Sequence, residues 1–206
     1  WLTASLQHPN IIKVHDVGST EEKRPYFTMD LKRGLNLAQW REGKNSYEID
    51  QCLDIFLKVC DAIEHAHSVK VLHLDIKPEN IQLESFSEVV VCDWGLAKDI
   101  NLPAESTEEI NLSEILSEQT MHGIIKGTPG FMAPEQVEQQ AGQISEKTDI
   151  SALGCILYSL LTYCRPIDND SLEVLMKDTL EGNVIPASQR NQKNIPKALE
   201  AVIEKA

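Results

Sequence analysis

The segment HLDIKPEN, residues 73–80, brings together residue types that could carry out a reaction. An aspartate, a lysine and an asparagine alternate with apolar residues, and Pro78 cannot donate a backbone hydrogen bond, so a regular helix or central strand is excluded. We therefore expect a loop in which Asp75, Lys77 and Asn80 converge. A further carboxylate, Asp93, follows the apolar run that comes next in the chain.

These side chains suit phosphoryl transfer. That reaction needs a base to orient a hydroxyl, a cation to hold the moving phosphate, and oxygen ligands for Mg²⁺, which prefers carboxylates and amide carbonyls. Asp75, Lys77, Asn80 and Asp93 supply that set. Taken one at a time, these residues have ordinary explanations. Asp75 and Asn80 could be turn formers, Lys77 a solvated cation and His73 a core histidine. Their order and the elements between them favour the catalytic interpretation.

Five segments must position these residues. Short strand-like runs at 11–20 and 24–31, separated by charged residues, predict a hairpin. Residues 47–68 predict an amphipathic helix, and 88–95 a buried strand ending in an aspartate and a glycine. Residues 148–163 are apolar nearly all round and predict a buried central helix. On the 47–68 helix the apolar residues at three- and four-residue spacings are Ile49, Leu53, Phe56, Leu57, Cys60 and Ile63.

Composition limits the possible partners and compartments. The chain has 206 residues, 42% of them hydrophobic, which is enough to bury the core of one globular unit. Its net charge of −13 argues against a nucleic acid or an anionic membrane as the main partner. The five cysteines are scattered and never in a C-x-x-C arrangement, which indicates neither a disulfide framework nor a zinc site and fits a reducing cytoplasm. No apolar run is long enough to span a bilayer, so we expect no membrane contact in this chain.

Four motifs occur in the order of a known family. HLDIKPEN, DWG, GTPGFMAPE and DISALG resemble the large lobe of eukaryotic-type Ser/Thr protein kinases, particularly their bacterial members. The resemblance runs from LQHPNI to the end of the chain. It implies an α+β, protein-kinase-like fold, mainly helical, with a remnant of the small-lobe sheet, and a requirement for ATP and Mg²⁺.

The resemblance also implies catalytic roles. Asp75 is similar to the catalytic base, Lys77 to the phosphate-binding lysine, and Asn80 and Asp93 to the Mg²⁺ ligands. Thr128 falls in the substrate-facing loop, where, together with Lys77, it implies serine and threonine acceptors rather than tyrosine.

Further residues resemble the family's nucleotide-binding and structural positions. The segment YFTMDLKRG looks like the hinge, with Met29 as gatekeeper and the backbone of Asp30 and Lys32 facing adenine. Glu135 resembles the structural glutamate of the APE motif, and Asp149 would brace the backbone of the catalytic loop. His73 would be structural. Gln82 stands where the family prefers an aliphatic residue beneath adenine, and burying an unpaired amide there would cost about 1 to 3 kcal/mol.

The chain departs from the family at both ends. No G-x-G-x-x-G turn and no V-A-I-K lysine precede the hinge, since WLTASLQHPNI resembles the end of the helix that carries the family's glutamate. The sequence also ends before the usual arginine partner of the Glu135 position. We therefore expect a fragment, with residues 1–30 a remnant of the small lobe and 31–206 a large lobe truncated at its C-terminal end.

Two hypotheses from different classes follow. In the first the full-length protein is an active Ser/Thr kinase, as the retained base and metal ligands indicate. In the second it is a pseudokinase or scaffold that binds a protein partner without transfer, as Gln82 and the replacement of the usual arginine by Leu74 suggest. Because neither the base nor a metal ligand is lost, we favour the enzyme.

The segment between Lys98 and Lys126 is strongly acidic. It contains five glutamates and no lysine or arginine, and Ser106 with Glu109 could cap a short helix within it. A solvated loop is its ordinary explanation. As an activation loop, its glutamates would favour basic residues beside the acceptor serine or threonine of a protein substrate. We expect a cytoplasmic kinase, and a membrane tether in segments outside this chain is compatible with that expectation.

Overall fold

A computed structural model describes most of the chain. The described residues are 2–22, 24–42, 48–101, 129–190 and 195–206. Composition predicts one globular unit, whereas the structure divides into two compact units, Trp1–Asp99 and Ile100–Ala206. The loop of residues 73–80, which we predict to be the catalytic loop, belongs to the first unit. The proposed lobe boundary at residues 30 and 31 falls within that unit and stays a prediction.

The first unit combines short strands with one long helix. Its helices are α1 (Leu2–Ser5), α2 (Leu37–Arg41) and α3 (Ile49–Ser68). Its strands are β1 (Val14–Ser19), β2 (Pro25–Met29), β3 (Leu35–Asn36), β4 (Val71–Leu72), β5 (Ile81–Leu83), β6 (Val89–Val91) and β7 (Lys98–Asp99). They form three small antiparallel sheets, in the orders β1-β2, β3-β5-β6 and β4-β7.

The predicted hairpin is confirmed. β1 and β2 pair antiparallel from Val14 opposite Met29 to Ser19 opposite Pro25, with an irregularity between Val14 and Asp16. Beyond the ladder, the N–H of Asp30 donates to the carbonyl of Lys13 at 3.1 Å. This bond holds the start of the next segment, residues 30–34, against the hairpin.

The sheet β3-β5-β6 carries the catalytic loop at one end and packs against α3. All three residues of β6 are buried, as the sequence predicts for the run before Asp93. The chain before β1 docks on the same strand, because Asn10 Nδ2 donates to the carbonyl of Val89 at 2.8 Å and the N–H of Ile12 to that of Val91 at 3.0 Å.

The helix expected over residues 47–68 is confirmed as α3, but its buried face differs from the predicted stripe. Of the six apolar residues singled out, only Ile63 is buried, and Leu57 is 59% exposed. The face that packs inward includes alanines, whose small side chains let the helix lie close to its neighbours. Its buried residues are Cys52, Ile55, Val59, Ala62, Ile63 and Ala66.

The second unit is helical in its described part. Its helices are α4 (Pro134–Val137), α5 (Glu146–Thr162), α6 (Leu172–Glu181), α7 (Ala187–Arg190) and α8 (Lys197–Lys205). The central helix predicted from residues 148–163 is confirmed as α5. Ser145 begins it by accepting a hydrogen bond from the N–H of Lys147 at 3.3 Å. The helix is buried along most of its length, although Ile150 is 43% exposed.

These elements confirm the predicted α+β fold. In the described part of the chain, no helix is both long and apolar enough to cross a membrane. The short helix expected after Ser106 lies outside the described residues.

Candidate active site

The carboxylate of Asp75 is the centre of the catalytic loop. Its Oδ2 accepts a hydrogen bond from Lys77 Nζ at 2.6 Å and another from Asn80 Nδ2 at 3.0 Å. The same Asn80 amide donates to the backbone carbonyl of Asp75 at 2.9 Å. The convergence expected of Asp75, Lys77 and Asn80 is therefore present. Within the described residues nothing donates to Asp75 Oδ1, so this oxygen can face a substrate.

The loop closes locally because of Pro78. Residues Pro78–Asn80 form one 3₁₀ turn that the proline begins, and Asn80 is nearly buried at its end. The carbonyl of Asn80 accepts from the N–H of Cys92 at 2.8 Å, which ties the loop to the segment bearing Asp93. A proline suits the first position of such a turn because the N–H that it lacks would have no partner there.

His73 lies beneath the loop and bonds to its backbone. The side chain is fully buried, its Nδ1 accepts from the N–H of Asp75 at 3.2 Å, and its Nε2 lies 3.1 Å from the carbonyl of Cys92. A histidine that accepts at Nδ1 and donates at Nε2 is neutral. Its ring also packs against Trp94, with the two ring centroids 4.5 Å apart.

Two residues of the site adopt left-handed backbone conformations. Leu74 has φ of 64° and Asp93 has φ of 57°. Such conformations cost about 1 to 3 kcal/mol for residues other than glycine and persist where surrounding contacts enforce them. Here the buried His73 lies beside Leu74, and the Trp94 Nε1 donates to the carbonyl of Val91 at 3.3 Å beside Asp93.

The residues predicted to hold Mg²⁺ fit that ion chemically. Asn80 Nδ2 donates both hydrogen bonds of the side-chain amide, and no described residue donates to Asn80 Oδ1. Asp93 is exposed, and its carboxylate is accessible. Over the described ranges, no three His, Cys, Asp or Glu side chains are grouped to hold a metal. Two protein oxygens, completed by phosphate and water, match the way Mg²⁺ usually binds.

The segment 30–34, which we call the hinge segment, offers main-chain groups to a planar base. Within the described residues the carbonyl of Asp30 accepts no hydrogen bond and the N–H of Lys32 donates none. These are the two residues whose backbone is predicted to face adenine. The predicted gatekeeper, Met29, ends β2 with 52% of its surface exposed. His15 Nε2 lies 2.6 Å from Asp30 Oδ1 and holds that side chain against β1.

Gln82, the residue that the resemblance places beneath adenine, lies on β5. The residue is only half-buried and pairs in the middle of the sheet, opposite Asn36 on β3 and Val90 on β6. Its place beneath adenine, and the cost of burying its amide there, stay predictions.

In the second unit, Glu135 has a partner that the sequence did not reveal. Thr148 Oγ1 donates to Glu135 Oε1 at 2.6 Å, and Thr148 is 1% exposed. Asp149, the next residue, is also buried. Its bracing role stays a prediction. Thr128 lies outside the described residues.

Sequence reasoning also missed two acidic residues that bind the hinge segment. Glu84 Oε1 accepts from the N–H groups of both Arg33 and Gly34 at 2.9 Å, and Glu88 Oε1 lies 2.8 Å from Lys32 Nζ. About fifty positions separate the partners in the chain, so no local pattern could have revealed them.

Comparisons with known proteins define the class. A family model described as the protein kinase domain matches residues 2–205, and the chain belongs to that family. It is 38% identical over 184 residues to the serine/threonine-protein kinase PknD of Chlamydia trachomatis serovar D, covering 80% of this chain and 19% of that protein.

Two further relatives match nearly the whole chain. PknD of Protochlamydia amoebophila is 34% identical, covering 99% of this chain and 22% of the relative. PknD of Chlamydia pneumoniae is 36% identical, covering 98% and 23% respectively. The chain thus spans about a fifth of the length of the curated relatives that it matches.

Proposed function

We propose that this chain supplies the catalytic base and metal-binding part of a serine/threonine protein kinase, which transfers the γ-phosphate of ATP to serine or threonine in a protein substrate. One observation carries the proposal. Asp75 has one carboxylate oxygen held by Lys77 and Asn80 and the other without a donor within the described residues. A base that must orient a hydroxyl needs this arrangement.

Each residue contributes a separate step. Asp75 Oδ1 accepts the hydrogen bond of the substrate hydroxyl and orients its oxygen toward the phosphate. Lys77, released from Asp75 or shared with it, balances charge on the transferred group. Asn80 Oδ1 and the Asp93 carboxylate would hold Mg²⁺, which neutralises the charge of the phosphates when bound. The carbonyl of Asp30 and the N–H of Lys32 would receive the adenine ring.

The proposed substrate follows from the same residues and from charge. The acceptor is serine or threonine, by resemblance and in keeping with the printed names of the relatives. A net charge of −13 favours a protein segment with basic residues near the acceptor over a nucleic acid. We place the kinase in the cytoplasm, as its cysteines favour.

By itself, the chain of 206 residues should not transfer phosphate. Its sequence contains neither a glycine-rich G-x-G-x-x-G turn nor a V-A-I-K lysine. Without these groups the triphosphate has no fixed in-line geometry, whatever Asp75 can do. We therefore propose that the chain is part of a longer catalytic domain and that the missing groups are needed for activity.

The test supplies an upstream segment, in which the family resemblance predicts those groups. We define the extended protein as residues 1–206 joined behind the segment that directly precedes the matched region in the Chlamydia pneumoniae relative. Incubated with Mg²⁺ and γ-labelled ATP, it should label serine or threonine in a basic protein such as myelin basic protein, and the chain alone should not. Nucleotide binding without any transfer by the extended protein would favour the pseudokinase hypothesis.

A further inference from the structure

We propose that Glu84 is a positioning residue for nucleotide binding, because its carboxylate sets the backbone of the hinge segment, with Glu88 as a weaker second support. This inference rests on the proposed function and identifies a determinant of ATP affinity that the family motifs do not contain. Glu84 directly follows β5, in the turn of residues 84–88 that joins β5 to β6.

The first step concerns the hydrogen bonds. One oxygen of Glu84, Oε1, accepts the backbone N–H groups of Arg33 and Gly34, both at 2.9 Å. These amides follow directly after Lys32, whose own N–H is free for a ligand within the described residues. Two bonds to a charged acceptor fix the orientation of successive peptide planes. We therefore infer that the orientation of the Lys32 N–H is fixed before a nucleotide binds.

The second step concerns close packing. A Cβ atom at Gly34 would lie 1.9 Å from the carbonyl oxygen of Leu83 and 3.1 Å from Glu84 Oε1. Only glycine can approach β5 this closely, so the hinge segment lies directly on the strand that carries Glu84. Backbone contact and the carboxylate together leave the segment little freedom.

The third step concerns the rigidity of the turn itself. The N–H of Glu84 donates to the carbonyl of Glu88 at 2.9 Å, which closes the turn. Lys58 on α3 donates to the carbonyl of Ser87 at 2.9 Å, and Ser87 has φ of 61°. Because the turn is anchored to α3, the two glutamates are fixed in space.

The fourth step adds an ion pair. Glu88 Oε1 lies 2.8 Å from Lys32 Nζ, and the lysine side chain is 17% exposed while that of Glu88 is 47% exposed. The pKa of Lys32 is raised: burial opposes the rise, and the bond to Glu88 with the nearby carboxylates outweighs it. Half-exposed ion pairs contribute little on their own. Glu88 therefore assists, and Glu84 carries the main effect.

The experiment measures steady-state kinetics of the extended protein. Glu84→Ala should raise the KM for ATP about tenfold while leaving kcat and the KM for the protein substrate within about threefold, since charge-assisted bonds to two amides are lost. Glu84→Gln keeps a carbonyl acceptor, and its KM for ATP should return to within about threefold of the parent. Glu64→Ala, an exposed glutamate on α3, is the matched control and should change nothing.

Folding is separated from positioning by a second variant and a second measurement. Glu88→Ala removes only the half-exposed ion pair and should fold, with a KM for ATP raised about twofold. In the chain of residues 1–206, Glu84→Gln and Glu84→Ala should progressively speed hydrogen exchange at the amides of Arg33 and Gly34, and Glu64→Ala should not.

The outcomes separate the two proposals. An active parent whose KM for ATP is unchanged by Glu84→Ala overturns the positioning role and leaves the kinase assignment standing. If Glu84→Ala lowered kcat and raised the KM for ATP and the KM for the protein substrate by similar factors, Glu84 would have a merely structural role. That result also overturns the positioning role. An extended parent with no transfer and no ATP binding overturns the proposed function, and the inference with it.

Discussion

Lys77 Nζ lies 2.6 Å from Asp75 Oδ2, and both side chains are about 15% exposed. This ion pair, between residues two positions apart in a loop, occupies one of the two carboxylate oxygens of Asp75. The opposite oxygen keeps its capacity to accept a hydrogen bond. The pair therefore orients the carboxylate that we propose as the base, and its removal should affect the reaction more than the stability of the fold.

The first prediction concerns that base. In the extended protein, Asp75→Asn should lower kcat at least about a hundredfold, because an amide cannot take the hydroxyl proton. Measurement of initial rates with saturating ATP and protein substrate tests this. Glu79→Gln, an exposed change in the same loop, serves as the control. A rate for Asp75→Asn equal to that of the parent would show that another group is the base.

A second prediction concerns the metal. Asp93→Asn should abolish most activity in the extended protein, since a neutral amide binds Mg²⁺ more weakly than a carboxylate. The required Mg²⁺ concentration, titrated at fixed ATP, should rise before the rate is lost. If the magnesium dependence of Asp93→Asn matched that of the parent, Asp93 would not be a ligand.

A third prediction concerns regulation. Kinases switched by loop phosphorylation commonly use an arginine before the catalytic aspartate to hold the phosphate. Leu74 stands there, and Ile124, outside the described residues, stands at the usual phosphoacceptor position. Phosphorylation elsewhere in the acidic segment should change activity only a few-fold. Phosphatase treatment of the extended protein, followed by rate measurement, tests this, and full loss of activity would refute it.

A fourth prediction concerns the buried link between α4 and α5. Thr148→Val keeps the shape of the side chain but removes the donor to Glu135 and the acceptor of the Ser145 N–H, and should lower the free energy of unfolding by about 1 to 3 kcal/mol. Urea denaturation of the 206-residue chain measures this. Thr148→Ser should retain most of the stability, and Ser151→Ala on the same helix is the control. Equal midpoints for Thr148→Val and the parent would contradict the link.

A fifth prediction concerns pH. Desolvation lowers the pKa of His8 from its ordinary 6.5, the neighbouring His65 lowers it further and Asp61 opposes both. The rings of His8 and His65 stack with centroids 5.2 Å apart, and His8 Nδ1 accepts from the N–H of Asn10.

Because the folded pKa lies below the unfolded one, the unfolded chain binds more protons as the pH falls. A neutral His8 contributes its full stability above pH 6.5, its ordinary pKa in the unfolded chain. That contribution is lost as the pH falls from 6.5 through the lowered pKa of the folded protein. Denaturation of the chain between about pH 7.5 and 5 should show this decline. His8→Asn should reduce the slope and His67→Gln should not, and parallel profiles for His8→Asn and the parent would disprove the assignment.

A final prediction concerns the chain alone. Scanning calorimetry of residues 1–206 should show cooperative unfolding with little shift on adding Mg-ATP, since stabilisation requires ligand well above its dissociation constant. Self-association through the exposed apolar residues of β2 and the hinge segment, Phe27, Met29 and Leu31, should appear at high concentration. A shift of several degrees at sub-millimolar ATP would show that the missing groups are less necessary than proposed.

The amino-acid sequence alone was enough to predict the class of this protein and to propose its reactive residues. Strand-like runs predicted the β1-β2 hairpin, helical periodicity predicted α3, and continuous apolar runs predicted β6 and α5, since all these patterns depend on neighbours a few positions away. The convergence of Asp75, Lys77 and Asn80 was also predictable, because all three lie within six residues around a proline-led turn.

Which helix face is buried and which atoms form long-range hydrogen bonds became clear only from the tertiary structure. The helix α3 packs against β6, and its buried face, which includes Ile55, Val59 and Ala62, differs from the predicted stripe. Gln82 is half-buried, Glu135 meets Thr148, and Glu84 binds the hinge segment from about fifty residues away. Such contacts depend on how separate segments pack, and the free energy of long-range packing leaves no local signature in the order of residues.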